Sequence, residues 1–162
     1  MSTPTKSRRK TAVQKRDGAA EPVVKLLAEP KSSAFPAGRM LIPSPNAVAA
    51  VINTVPAGRL LTLSALRRSL ALTYGADYTC PITTGIFLRI VADAAEEERM
   101  HGARSTTPWW RVVRDDGTLF IKLPGGVKRH AESLESEGIE VVRVRRIPTR
   151  VVDVASHQWT PT

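Results

Sequence analysis

Cys80 is the one cysteine in the chain, so it is the one side chain that could serve as a sulfur nucleophile. It stands in Tyr78-Thr79-Cys80-Pro81-Ile82-Thr83-Thr84-Gly85, just ahead of a helix-like stretch. The N–H groups and dipole of a helix start favour a thiolate, which gives a reactive reading. A free cysteine is also a small apolar core residue, and no histidine lies close to this one in sequence. Trp109-Trp110 is the second feature that bears on chemistry. Indole supplies neither an ionisable nucleophile nor a base, but it can stack on a nucleobase for about 1–3 kcal/mol. In an extended stretch the two rings would alternate, one toward the core and one toward a pocket. Glu137, beside Gly138, can cap a helix end or pair with Arg111. His101, His130 and His157 have no ligand spacing, so neither a metal nor another cofactor is expected.

The charge points to a partner. Lys and Arg number 24 against 15 Asp and Glu, a formal +9 over 162 residues, with nucleic acid the first partner to consider. Residues 1–31 carry eight Lys/Arg and three acids, so residues 1–38 read as a basic, solvated N-terminal arm. Arg59, Arg67, Arg68 and Arg89 suit phosphate contacts, and Thr83, Thr84 and Gly85 suit a groove wall. Paired threonines at a helix start serve capping equally well. Arg143, Arg145, Arg146 and Arg150 make a late hairpin basic, which would equally protect a solvated edge strand. No apolar run approaches the roughly 18 residues of a membrane span. The basic N-terminus lacks an apolar stretch behind it, so no secretory signal is expected. The location expected is cytoplasmic, with the nucleoid if DNA is bound. One cysteine excludes an internal disulfide.

These residues need elements to position them. Ser44-Pro45 starts a helix whose stripe is Val48, Val51, Ile52 and Val55. Thr62 caps a second helix with Leu63, Leu66 and Leu70 inward. A third helix begins after Pro81 with Thr83 as its cap, runs to about Met100, and turns Ile86, Ile90 and Ala94 to the core, with Phe87 and Val91 beside them. Trp109 to Arg114 reads as a strand, Asp115-Asp116-Gly117 as a tight turn, and Thr118 to Ile121 as the returning strand. A helix from Gly125-Gly126 to Glu137 is closed by Gly138. Glu140 to Ile147 and Arg150 to Val154 form a last hairpin turning at Pro148-Thr149. The order predicts an α+β fold, a winged helix-turn-helix with small β hairpins. Residues 39–140 would form the domain, with residues 141–162 a basic hairpin and tail packed on it.

The block from Val55 to Gly138 resembles the DNA-binding and active-site domain of the alkylguanine-DNA alkyltransferases. The family's Val-Pro-x-Gly opening falls on Val55-Pro56-Ala57-Gly58. Its recognition-helix stretch falls on Ile82 to Phe87, and its Pro-Cys-His-Arg-Val segment on Pro108-Trp109-Trp110-Arg111-Val112. Its closing Gly-Gly and Glu-Gly match Gly125-Gly126 and Glu137-Gly138. Trp109 stands where the family keeps its acceptor cysteine and Trp110 where it keeps a histidine, so thiol transfer cannot occur there. The chain is similar in this to the alkyltransferase-like branch, which holds alkylated bases without repairing them. The resemblance implies a lesion pocket of Leu63, Ile82, Trp109, Trp110, Arg111 and Glu137. Leu63 replaces the tyrosine that pushes the target phosphate, and Ile82 the arginine that fills the vacated stack. An apolar wedge at Ile82 can still unstack a step. The implied partners are double-stranded DNA carrying O6-alkylguanine, and repair proteins. Two other readings stay open: an alkyl-accepting enzyme using Cys80, and a protein-interaction module that no longer binds DNA.

Overall fold

Leu41, Val48, Ile52, Leu61, Leu66, Leu70, Leu88 and Trp109 close into one core, each of them essentially without solvent exposure. They come from elements spread over the computed structural model, which describes residues 8–161. Helix α2 (Pro45–Ile52) starts where Ser44 accepts the Ala47 N–H at 3.1 Å, and it buries Val48, Val51 and Ile52. Helix α3 (Leu63–Tyr74) is capped by Thr62, which accepts the Ala65 N–H at 3.2 Å. It ends at Gly75, whose φ of 66° is the left-handed conformation that suits glycine. A short loop then carries the chain into α4 (Pro81–Met100). Helix α5 (Gly126–Ser136) and the strands β6 (Val141–Val144) and β7 (Ile147–Val151) enclose a second apolar cluster of Leu60, Val113, Leu134 and Ile139.

The architecture is α+β, with three small sheets among the described residues. Strand β1 (Val23–Leu27) runs antiparallel to β2 (Gly38–Ile42), which runs parallel to β4 (Tyr78–Thr79). Strand β3 (Leu61–Thr62) pairs in parallel with β5 (Val112–Val113). Strands β6 and β7 form an antiparallel hairpin. A last turn of helix, α6 (Val154–His157), leads to Trp159, whose N–H donates to Leu60 O at 2.7 Å.

The expected solvated arm is corrected over its described part. Helix α1 (Ala12–Asp17) carries a Thr11–Gln14 capping box and lies along α4. The Ala12 N–H donates to Glu97 at 2.9 Å, and Arg16 pairs with Glu98. Strand β1 adds itself to β2 from Val23↔Ile42 to Leu27↔Gly38. Composition hid this because α1 buries no residue and is too short to be stable alone. Tertiary contacts hold it. Residues 1–7 of the expected arm lie outside the described residues.

Five other expectations change. Cys80, not Thr83, precedes the first residue of α4, and the buried face of that helix is Thr84, Leu88, Val91, Ala92, Ala94 and Ala95, which keeps Ala94 and Val91 inward as expected. Ile86 lies on the opposite side, 53% exposed. The stretch is apolar on more than one face, so periodicity could not choose. The small side chains Ala92 and Ala95 suit the close packing of α2 on this helix. Trp109–Arg111 is a turn of 3-10 helix rather than strand, and only Val112–Val113 is extended. The turn at Asp115-Asp116-Gly117 forms, with the Gly117 N–H donating to Arg114 O at 2.8 Å. Its return does not pair with β5; it crosses to β7, where the Leu119 N–H donates to Thr149 O at 3.0 Å. The last hairpin turns at Arg145-Arg146, not at Pro148-Thr149.

Candidate nucleic-acid interface

Glu137 gathers three segments of the chain. Its carboxylate accepts from Arg111 Nη2 at 2.8 Å, from Trp110 Nε1 at 2.9 Å and from the Gly58 N–H at 3.1 Å. Arg111 also donates to Val55 O at 2.6 Å. The side chains of Arg111 and Glu137 are only 15% and 11% exposed, so this is a nearly buried ion pair with its remaining valences satisfied. Burial works to raise the Glu137 carboxyl, and the hydrogen bonds from Arg111, Trp110 and Gly58 outweigh it and hold it below the ordinary carboxylate range. Gly58 is required by its φ of 79°. The indole N–H of Trp110 therefore supplies Glu137 with a donor, but no proton that can be moved.

Behind that network the first tryptophan is sealed. Trp109 has no exposed surface, lies edge-on to Trp110 at 6.1 Å between ring centres, and tilts against His130 at 5.6 Å. Its Nε1 approaches Glu96 at 3.4 Å. Trp109 cannot be the floor of an open pocket, which corrects the pocket inferred from the sequence. His130, on α5, is also fully buried. Its Nδ1 accepts the Phe120 N–H at 3.2 Å and its Nε2 lies 2.8 Å from Trp110 O. With one nitrogen accepting, the other must donate, so the ring is neutral with its proton on Nε2. Burial pushes this imidazole down to about 4. Residue order alone assigns His130 no role beyond the lack of metal-ligand spacing.

An open cleft with apolar walls lies elsewhere. A cleft of about 490 Å³ separates α3 and α4 from the segment Thr118–Leu123. Leu63, Leu88, Leu119, Phe120 and Ile121 give it apolar walls, and Arg67, Arg89, Arg114 and Lys122 also line it. The Arg114 guanidinium lies 4.9 Å from the centre of the Phe120 ring. Asp115 fixes the α3 side by accepting from the Ser64 N–H at 2.9 Å and from its hydroxyl. Sequence reasoning missed Arg114, Phe120 and Lys122. The signal for Phe120 and Lys122 is the short apolar run after Asp115-Asp116-Gly117, and Arg114 stands just before that turn.

Of the residues predicted to touch DNA, Arg67, Gly85 and Arg89 meet at this cleft. Gly85 is exposed, and a Cβ placed there would meet nothing within 4 Å. Ile82, 62% exposed, and Ile86 share the outer side of α4 with it. Thr84 is corrected: it is fully buried, and its hydroxyl donates to Cys80 O at 2.7 Å. Thr83 is half-buried and points its hydroxyl at the same carbonyl, 3.4 Å away. Arg68 is exposed on α3 over a separate hollow, and Arg59 is exposed with Nη1 3.5 Å from Ser156 O. The six residues inferred as a lesion pocket are thus divided. Leu63 lines the cleft and Ile82 stands outside it. Trp109 is in the core, while Trp110 and Arg111, both bonded to Glu137, border a polar hollow with Arg99, Arg104 and Arg129. Cys80 is buried and does not line the cleft.

No family model and no curated protein matches the chain. Among solved structures it is similar to S. pombe Atl1, captured in complex with damaged DNA containing O6-carboxymethylguanine. That match has 19% identity and a TM-score of 0.51, over 72% of this chain and 94% of that one. A second structure, S. pombe ATL in complex with DNA, matches at 18% identity and a TM-score of 0.45 over the same shares. At such identity the first likeness speaks for architecture: the α+β, winged-helix type of fold expected from the sequence is the fold observed.

Proposed function

We propose that this protein binds duplex DNA and holds a displaced, alkylated guanine in the cleft between α4 and Thr118–Leu123, without chemical turnover. The observation that carries the reading is the make-up of that cleft. It is apolar inside and basic at its edge, and among the described residues no cysteine, histidine, aspartate or glutamate lines it. Such a site can bind a base and neighbouring phosphates, but it offers no thiolate or general base to accept a carbon or move a proton.

The outer side of α4 supports the same reading. Exposed Ile82 and Ile86 flank Gly85, and nothing in the protein itself needs a glycine there. Glycine inside a helix costs about 1 kcal/mol relative to alanine, which a groove wall brought close to the backbone would offset. An isoleucine at the start of such a helix can wedge a base step, the part that Ile82 takes here. Arg67 and Arg89 would meet phosphates. The solved Atl1 complex, with alkylated DNA on this type of fold, is the analogue. A protein that holds a lesion without mending it acts by marking it, so repair proteins are the proposed readers of the complex.

The test is a titration of the full chain with matched duplexes, with and without one O6-alkylguanine, followed by intact-mass measurement. Binding that weakens with salt, tightens with the lesion and leaves the protein mass unchanged is expected. Equal affinity for both duplexes would remove lesion recognition, and a protein that gains an alkyl mass would be an acceptor after all.

A further inference from the structure

The β6–β7 hairpin turns through two residues, Arg145 and Arg146, with φ of 51° and 68°. A two-residue turn of this kind wants left-handed backbone at both positions, the reason Asn-Gly is so common there. Arginine adopts that conformation only at a conformational cost. The sequence therefore keeps two guanidinium groups where their backbone is unfavourable, and such strain is held where the side chains are needed.

Three observations show what they are free to do. Arg143 on the same hairpin is tied to Glu135 of α5, whereas Arg145 and Arg146 form no ion pair among the described residues. Both are exposed, as are the neighbours that pair across the turn, Val144 at 57% and Ile147 at 59%. The base of the hairpin is bonded to the cleft wall, Leu119 N–H to Thr149 O and Thr118 to Arg150 as a bridge. At about 3.3 Å per residue, the tip stands roughly 10 Å beyond that attachment.

From this we infer that the hairpin tip is a second DNA contact, in which Arg145 and Arg146 neutralise backbone phosphates flanking the nucleotide held in the cleft. The inference rests on the DNA-binding reading above and extends it to a part of the chain outside the Val55–Gly138 block. Continuity with the basic edge of the cleft, through Arg114 and Lys122, is what favours DNA as the occupant. Counterion release from each phosphate contributes about 0.9 to the slope of log affinity against log salt, so two contacts contribute about 1.8.

Asn-Gly at the tip separates function from folding, because Arg145→Asn with Arg146→Gly removes both charges while giving the turn its preferred residues. The full chain carrying this pair, a second carrying Arg145→Gln with Arg146→Gln, and a third carrying Arg67→Glu with Arg89→Glu are titrated with an alkylated duplex across a salt series. The inference expects the Asn-Gly variant to melt at least about 2 °C higher. Both tip variants should bind on the order of tenfold more weakly at 100 mM salt, with slopes lower by about 1.8. Tip variants that bind with unchanged affinity and slope, while Arg67→Glu with Arg89→Glu abolishes binding, overturn the tip contact and leave the DNA reading standing. Loss in the Asn-Gly variant alone assigns the effect to turn shape and overturns the phosphate contact. Absence of duplex binding by the unaltered protein removes both.

Discussion

Glu137 and Gly85 are opposite cases of what a single residue does here. Glu137 sits between a nearly buried guanidinium, an indole N–H and a backbone N–H, so removing it strands three donors. Glu137→Ala should destabilise the protein by about 3 kcal/mol, the scale for leaving one member of a buried pair behind. Chemical denaturation of the two proteins at neutral pH measures it, and a loss below about 1 kcal/mol would mean that water replaces the carboxylate. Gly85 has open space around its Cα. Gly85→Ala should raise stability by about 0.5–1 kcal/mol and weaken duplex binding. If stability rises and affinity does not move, the groove approach assigned to this position is wrong.

At the scale of elements, α4 divides its residues between fold and function. Leu88, Val91, Ala92 and Ala95 pack inward, and Ile82, Gly85, Ile86 and Arg89 face out or into the cleft. Leu88→Ala should cost about 2–5 kcal/mol of stability, as large-to-small changes in a core do. Ile82→Ser and Ile86→Ser should leave stability within about 0.5 kcal/mol while reducing affinity for duplex DNA. Melting curves and binding curves on the same three variants check this division. The reverse pattern, with the isoleucines costing more stability than Leu88, would contradict the observed orientation of the helix. Helix α1 is the complementary lesson, since it has no fully buried residue of its own and is held by Glu97 and Glu98 of α4.

For the molecule as a whole, His130 couples the tryptophan turn to the cleft wall, and it does so only as a neutral ring. In the unfolded chain its imidazole titrates near 6.5, and in the native protein burial lowers it to about 4. Between those values the unfolded chain binds a proton that the native state does not. Stability from this group is therefore whole above about pH 6.5 and declines as pH falls toward 4, by about 3 kcal/mol in all. Glu137, held below its ordinary value of 4.5, begins to add its own loss only as pH falls through that value, near the foot of the His130 window. Denaturation midpoints at pH 7 and pH 4.5, for the unaltered protein and for His130→Asn, separate the two. The variant should be less stable at pH 7 and lose much less between the two pH values. An equal loss in both proteins would assign the pH dependence elsewhere.

Local chemistry made much of this legible from residue order alone. Ser44-Pro45, Thr62 and Gly138 mark where helices begin and end because caps and left-handed residues act within a few positions of themselves. That Trp109 brings no thiol was equally readable, since an indole lacks sulfur in any fold. What could not be read was which side of α4 faces inward, that α1 and β1 join the fold, or that Trp109 is sealed in the core while the cleft opens beside Phe120. Each depends on contacts between residues far apart in the chain. Burial is decided by what arrives from elsewhere, and a periodic pattern with two apolar faces carries no record of which one meets it.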